Sequence, residues 1–140
     1  MEEGEVRKRR KTILVVDDLI DWCRSISGIL EDAGLNCICT DNRLDAVKIA
    51  IVERPDLVLS DVRLSESDES NEDGVVILRE IKRIEATKGI PVILFTGYAR
   101  AELVRDAYAL GASAFVEKSD VLRLVEIARQ TLLNAGLGIL

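Results

Sequence analysis

The sequence predicts an α/β protein: one open, five-stranded parallel sheet, doubly wound, with helices on both faces, made of five consecutive (βα) units. Two observations carry this. Five short apolar runs alternate with segments whose apolar residues recur every three or four positions. The first, third and fourth runs are nearly continuous in Val, Ile and Leu, as expected of strands buried on both faces of a parallel sheet.

Taken in order, the first strand is Thr12–Asp17 (TILVVD). A helix follows on Trp22, Ile26, Ile29, Leu30 and Ala33, with Gly34 as its stop. The second strand is Cys37–Thr40, and its helix rests on Leu44, Val47 and Ile51 before Pro55. The third strand is Leu57–Asp61; after Gly74, Ile77, Ile81 and Ile84 mark a helix. The fourth is Pro91–Thr96, followed by Val104, Ala107 and Tyr108 ahead of Gly111. The fifth is Ala114–Lys118, and Val121, Leu124, Val125, Ala128 and Leu132 form the last helix. The organisation read from this is a basic tail over 1–11, one domain over 12–133 and a short tail over 134–140.

The chain has 140 residues, 48% of them hydrophobic and 31% charged, which fits a single globular domain. No apolar run approaches the roughly 20 residues of a membrane span. The N-terminus carries charges and no apolar signal-peptide core, so a cytoplasmic location is expected. Net charge is −6, and the five cations Arg7–Lys11 leave the remainder at −11. That acidity argues against direct nucleic-acid binding, and the basic run reads as a solvated tail. Cys23, Cys37 and Cys39 are odd in number and suggest no disulfide framework. With no histidine to complete a zinc site, they read as small buried hydrophobes in a reducing compartment.

In open parallel sheets ligands bind beyond the carboxyl ends of the strands. Those ends carry Asp17 and Asp18, Asp61, Thr96 and Gly97, and Lys118. Three carboxylates at one edge repel unless a cation joins them, and oxygen-only ligands favour a hard ion, Mg2+ foremost. A lysine and a threonine hydroxyl beside them could cradle a phosphoryl group on one carboxylate, since phosphoryl transfer asks for positioning and charge neutralisation.

At these residues the sequence resembles the receiver domains of bacterial-type two-component response regulators. The likeness runs from about Lys11 to Leu133. It rests on VVDD at Val15–Asp18, LSD at Leu59–Asp61, FTG at Phe95–Gly97, GA at Gly111–Ala112 and FVEK at Phe115–Lys118. The resemblance implies a flavodoxin-like fold of strand order 2-1-3-4-5. It implies that Asp61 accepts a phosphoryl group from a sensor histidine kinase or phosphotransfer protein. Asp17, Asp18, Asp61 and the backbone carbonyl of Arg63 would hold the Mg2+, and Lys118 would contact the phosphate. Thr96 would move toward it and Phe115 would swing inward, the added charge biasing a two-state loop. Arg63 and Tyr98, two positions beyond Asp61 and Thr96, would shield the acyl phosphate from water. The face of helix 4, strand 5 and helix 5, with Tyr108, would meet an output partner or a second copy.

Two features depart from the family pattern. The segment after Asp61 is long: Ser65–Asp73 carries five acids and no base, and Gly74 follows. Its composition reads as a solvated loop; the sharper reading has it gate the site or select a kinase. Ser119 follows Lys118, where the family usually has proline, so the loop there is expected to take a different shape. With no output domain expected beyond Leu133, the leading function is a stand-alone switch with no enzymatic activity beyond chemistry at its own Asp61. Two alternatives stand beside it. One is a degenerate receiver serving as a scaffold. The other is a Mg2+-dependent phosphatase with an aspartate nucleophile, although Asp17-Asp18-Leu19-Ile20-Asp21 lacks the Asp-x-Asp that haloacid-dehalogenase-type enzymes need.

Overall fold

The computed structural model describes residues 10–65, 68, 70–97 and 99–136. Its elements alternate without exception: β1 (Thr12–Val16), α1 (Ile20–Asp32), β2 (Asn36–Thr40), α2 (Arg43–Glu53), β3 (Leu57–Asp61), α3 (Asp73–Arg83), β4 (Val92–Thr96), α4 (Ala101–Ala109), β5 (Ala114–Glu117) and α5 (Val121–Gly136). The strands form one sheet in the order β2-β1-β3-β4-β5, and every neighbouring pair is parallel. Side chains of a strand alternate between faces, so each buried strand feeds two cores. Leu14, Val16, Val58 and Leu94 pack under α2, α3 and α4; Ile13, Val15, Leu57, Leu59, Ile93 and Phe95 pack under α1 and α5. This is why the central strands read as unbroken apolar runs: both faces are covered.

The predicted helical faces hold for α3 and α5 and in part for α1: Ile26, Leu30, Ile77, Ile81, Leu124, Ala128 and Leu132 are buried, whereas Ile29 and Ala33 are exposed and Cys23 completes the buried face of α1. In α2 the predicted phase is wrong. Leu44 and Ile51 are exposed, and the buried face is Ala46 and Ala50. Two alanines give a weak apolar signal, yet small side chains let α2 lie close against the core shared with α3. Asn42 caps α2 by accepting the Asp45 N–H at 2.9 Å, a bond worth about 1 kcal/mol. In α4 the core side is Leu103 and Ala107, while Tyr108 faces outward. Helix α5 runs to Gly136, so the first three residues of the expected C-terminal tail are helical. Residues 137–140 and Arg7–Arg9 of the basic run lie outside the described residues. Lys11 of that run is 3.9 Å from Asp56 at an exposed pair.

The cysteines depart from expectation. Cys23 and Cys39 are joined in a disulfide with Cα atoms 6.4 Å apart, and Cys37 is free. The register explains the pairing: Cys39 lies beside Val15, whose carbonyl oxygen is 3.8 Å from Cys23 Sγ. Two cysteines that the spacing left unrelated are thus brought together by the β1–β2 crossover. The bridge closes a loop with a sequence separation of 16. Breaking it with reductant, or by Cys39→Ser, should cost about 3 kcal/mol, the chain-entropy value for a loop near that size. Urea unfolding midpoints with and without reductant measure this; equal midpoints, with three titratable thiols in the untreated protein, would show the bridge is not formed.

Candidate functional site

A parallel sheet delivers all its carboxyl ends to one edge, and the strand order reverses between β1 and β3. The register Val16↔Ser60 places the next residues, Asp17 and Asp61, side by side at that switch point. One oxygen from each of Asp17, Asp18 and Asp61 lies within 4.8 Å of the others. Asp17 and Asp61 are buried and Asp18 half-buried. Asp17 Oδ1 accepts the Leu19 N–H at 2.8 Å, and Asp61 Oδ1 accepts the Arg63 N–H at 3.3 Å.

Lys118 enters from the end of β5. Its backbone N–H donates to the Thr96 carbonyl at 2.8 Å, which ties the loop to β4. Its ammonium is 2.8 Å from Asp17 Oδ2 and 3.2 Å from Asp61 Oδ2. The departure at Ser119 therefore does not remove Lys118 from the site. Thr96 is buried at the end of β4. Phe115 is half-buried against the α2–α3–α4 core, and its N–H donates to the Tyr108 hydroxyl at 3.2 Å. Tyr98 lies outside the described residues; Arg63 lines the cleft in front of Asp61.

Electrostatics follow from burial. Burial pushes the Asp61 carboxyl up to about 6; the nearby Lys118 charge opposes this and the Asp17 charge adds to it. Asp17 is raised for the same first reason, with Lys118 again opposing. Burial by itself would lower Lys118, but its hydrogen bond to Asp17 and the charges of Asp61 and Asp17 hold its ammonium above the usual range. Among the described residues at the strand ends, three carboxylates meet one lysine. That excess of negative charge, presented wholly by oxygen atoms, fits a hard divalent cation.

The cleft has a volume of about 740 Å³. Sequence reasoning gave Asn71, Arg100 and Trp22 no part here and held the acidic insert between a solvated loop and a gate. The acidic insert is a wall of the cleft through Ser70, Asn71 and Glu72. Asn71 Oδ1 accepts N–H groups from Leu64 and Asp73, both at 3.0 Å, and so closes the base of the insert. Arg100, opposite, is 3.4 Å from Glu72. Glu66, Ser67 and Glu69 lie outside the described residues. An Asn three positions before a glycine in an acidic run carried no distinct signal. Trp22, read as one more core residue of α1, stacks beside Phe95 with ring centroids 4.7 Å apart and lies under the Lys118 ammonium.

Comparison with known proteins places this geometry. The family described as the response regulator receiver domain matches residues 13–129. The Phosphate regulon transcriptional regulatory protein PhoB of Pseudomonas aeruginosa is 31% identical in an alignment that covers 86% of this chain and 53% of PhoB. The chain thus spans about half the length of that relative. Sporulation initiation phosphotransferase F of Bacillus subtilis is 32% identical over 100 residues, covering 71% of this chain and 75% of its own. Among solved structures, a CheY-like receiver domain protein from Methanospirillum hungatei superposes with a TM-score of 0.78 at 26% identity, over 89% of this chain and 94% of that one. The order of strands and these matches agree: the chain belongs to the response regulator receiver domain family.

Proposed function

We propose that Asp61 is the phosphoacceptor and that the chain works as a phosphorylation switch. The observation that carries the assignment is the meeting of Asp17, Asp18 and Asp61 with Lys118 at one end of the sheet. Asp61 Oδ2 is the attacking atom. Lys118 stays beside it and takes up charge from the phosphoryl oxygens. Thr96, at the end of the adjacent strand, offers a hydroxyl to those oxygens. Asp17, Asp18, Asp61 and the backbone carbonyl of Arg63 would hold Mg2+, which when bound neutralises the carboxylates and the incoming phosphoryl group.

The donor is a sensor histidine kinase or a phosphotransfer protein. Turnover is confined to acceptance and loss of the phosphoryl group at Asp61. The output is a change in partner binding, transmitted through Thr96 and Phe115 to the α4–β5–α5 face. Tyr108 supports that route, because its hydroxyl already bonds the Phe115 N–H while the residue is 49% exposed. The same face is the proposed homodimer surface. No described helix is long and apolar enough to cross a membrane; a cytoplasmic location fits the proposed donor, and in that reducing compartment the Cys23–Cys39 bridge is expected to open.

Intact mass after incubation with acetyl phosphate and Mg2+ tests the acceptor. Wild type should gain one phosphoryl mass, and neither Asp61→Asn nor wild type in EDTA should gain it. An adduct on Asp61→Asn would move the acceptor elsewhere. No adduct on folded wild type would favour a scaffold.

A further inference from the structure

A lysine on a loop has four rotatable side-chain bonds, so something must fix its ammonium if it is to meet a phosphoryl group on Asp61. The loop gives Lys118 one backbone tie, to Thr96. Its two carboxylate partners both lie on the sheet edge. A further contact comes from α1: the ammonium stands over the Trp22 ring, 4.8 Å from its centroid, and 5.8 Å from the Phe95 centroid. Phe95, near the carboxyl end of β4, is fully buried and lies against the indole, 4.7 Å between centroids. The indole is therefore backed by a ring that is itself fully buried. Indole presents the strongest aromatic face to a cation, and the pull on a partly desolvated ammonium is directional. The Lys118 side chain is 13% exposed, so this attraction is weakly screened.

We propose that Trp22 is a positioning residue for Lys118. Its indole face, braced by Phe95, keeps the ammonium poised between Asp17 and Asp61 and ready to meet the phosphoryl oxygens. The proposal rests on Asp61 as acceptor, and it assigns to this chain a device made from an α1 residue outside the strand-end set.

The test compares phosphorylation rates from acetyl phosphate in Mg2+ for the full chain and for Trp22→Tyr, Trp22→Phe and Trp22→Leu, each with its urea unfolding curve. Trp22→Leu should be slower by roughly three- to thirtyfold, the range that a cation–aromatic contact of this kind is worth. The aromatic variants should fall between, because an aromatic face remains. A purely structural role would instead follow stability, with rates ordered by unfolding midpoint and not by ring. Trp22 is the sole tryptophan, so emission reports the contact without any phosphate. Lys118→Met should shift or brighten it. Unchanged emission in Lys118→Met, or equal rates in Trp22→Leu and Trp22→Phe, would overturn the proposal. If wild type took up no phosphate while Lys118→Met still changed the emission, the acceptor assignment would fail and the contact would stand.

Discussion

Gly74→Ala should destabilise the protein by about 2–3 kcal/mol, the upper part of the overpacking range, and should also slow phosphorylation. A Cβ at this position would collide with the backbone carbonyl oxygen of Asp61 and would lie 2.7 Å from Val62 Cα. All of these are main-chain atoms at the strand end that carries Asp61, so no side-chain rotation relieves the contact. The Gly74 N–H also donates to the Val62 carbonyl at 2.8 Å, which fixes α3 against β3 at this point. Within the helix itself alanine is the better residue, by about 1 kcal/mol. The two effects have opposite signs, and backbone overlap is the larger. Urea unfolding of both proteins decides between them. A higher midpoint for Gly74→Ala would mean that α3 does not press on β3. A lower one, with slower uptake of phosphate, would tie the helix contact to the placement of Asp61.

Gly74 also shows where the sequence was legible and where it was not. The strands could be read because burial on both faces leaves unbroken Val, Ile and Leu. The strand-end residues could be read because a parallel sheet gathers its carboxyl ends, so Asp17, Asp61, Thr96 and Lys118 needed only the strand boundaries. Contacts between elements that depend on absent side chains were illegible. Gly74 looked like the end of an acidic loop, and the structure places it inside α3. Ala46 and Ala50 were outweighed by Leu44 and Ile51, since periodicity counts apolar size and close helix approach needs its absence. The Cys23–Cys39 bridge and the Trp22–Lys118 contact depend on register between segments far apart in sequence. No local pattern encodes that.

Asp61→Asn should stabilise the protein at neutral pH in Mg2+-free buffer, although it removes the proposed acceptor. Asp61 is raised to about 6 by burial first and by the Asp17 charge, with Lys118 only partly opposing. Its ordinary value is 3.8. The folded chain therefore holds this proton more tightly than the unfolded chain does. The stability it contributes is complete below about pH 4 and is lost as pH rises through about 6. The full swing is on the order of 2–3 kcal/mol, from the worth of a pKa unit. Asparagine keeps the shape and never ionises, so the variant escapes that loss. The expected gain at pH 7.5 is therefore close to that full swing, about 2–3 kcal/mol, because the attraction of Lys118 is already contained in the raised value. At pH 4 the two proteins should be equal within error. Saturating Mg2+ should favour the wild type, because binding to the folded state alone adds stability and a neutral amide in place of the Asp61 carboxylate is the poorer ligand. Urea midpoints at pH 4 and 7.5, with and without Mg2+, supply the comparison. A variant less stable than wild type at pH 7.5 without Mg2+ would mean that the Lys118 pair outweighs burial. The excess negative charge at the strand ends would then no longer argue for a bound cation. The expected result would mean that folding bears a cost to hold three carboxylates together, and that the cost is relieved by the ion proposed to assist phosphorylation.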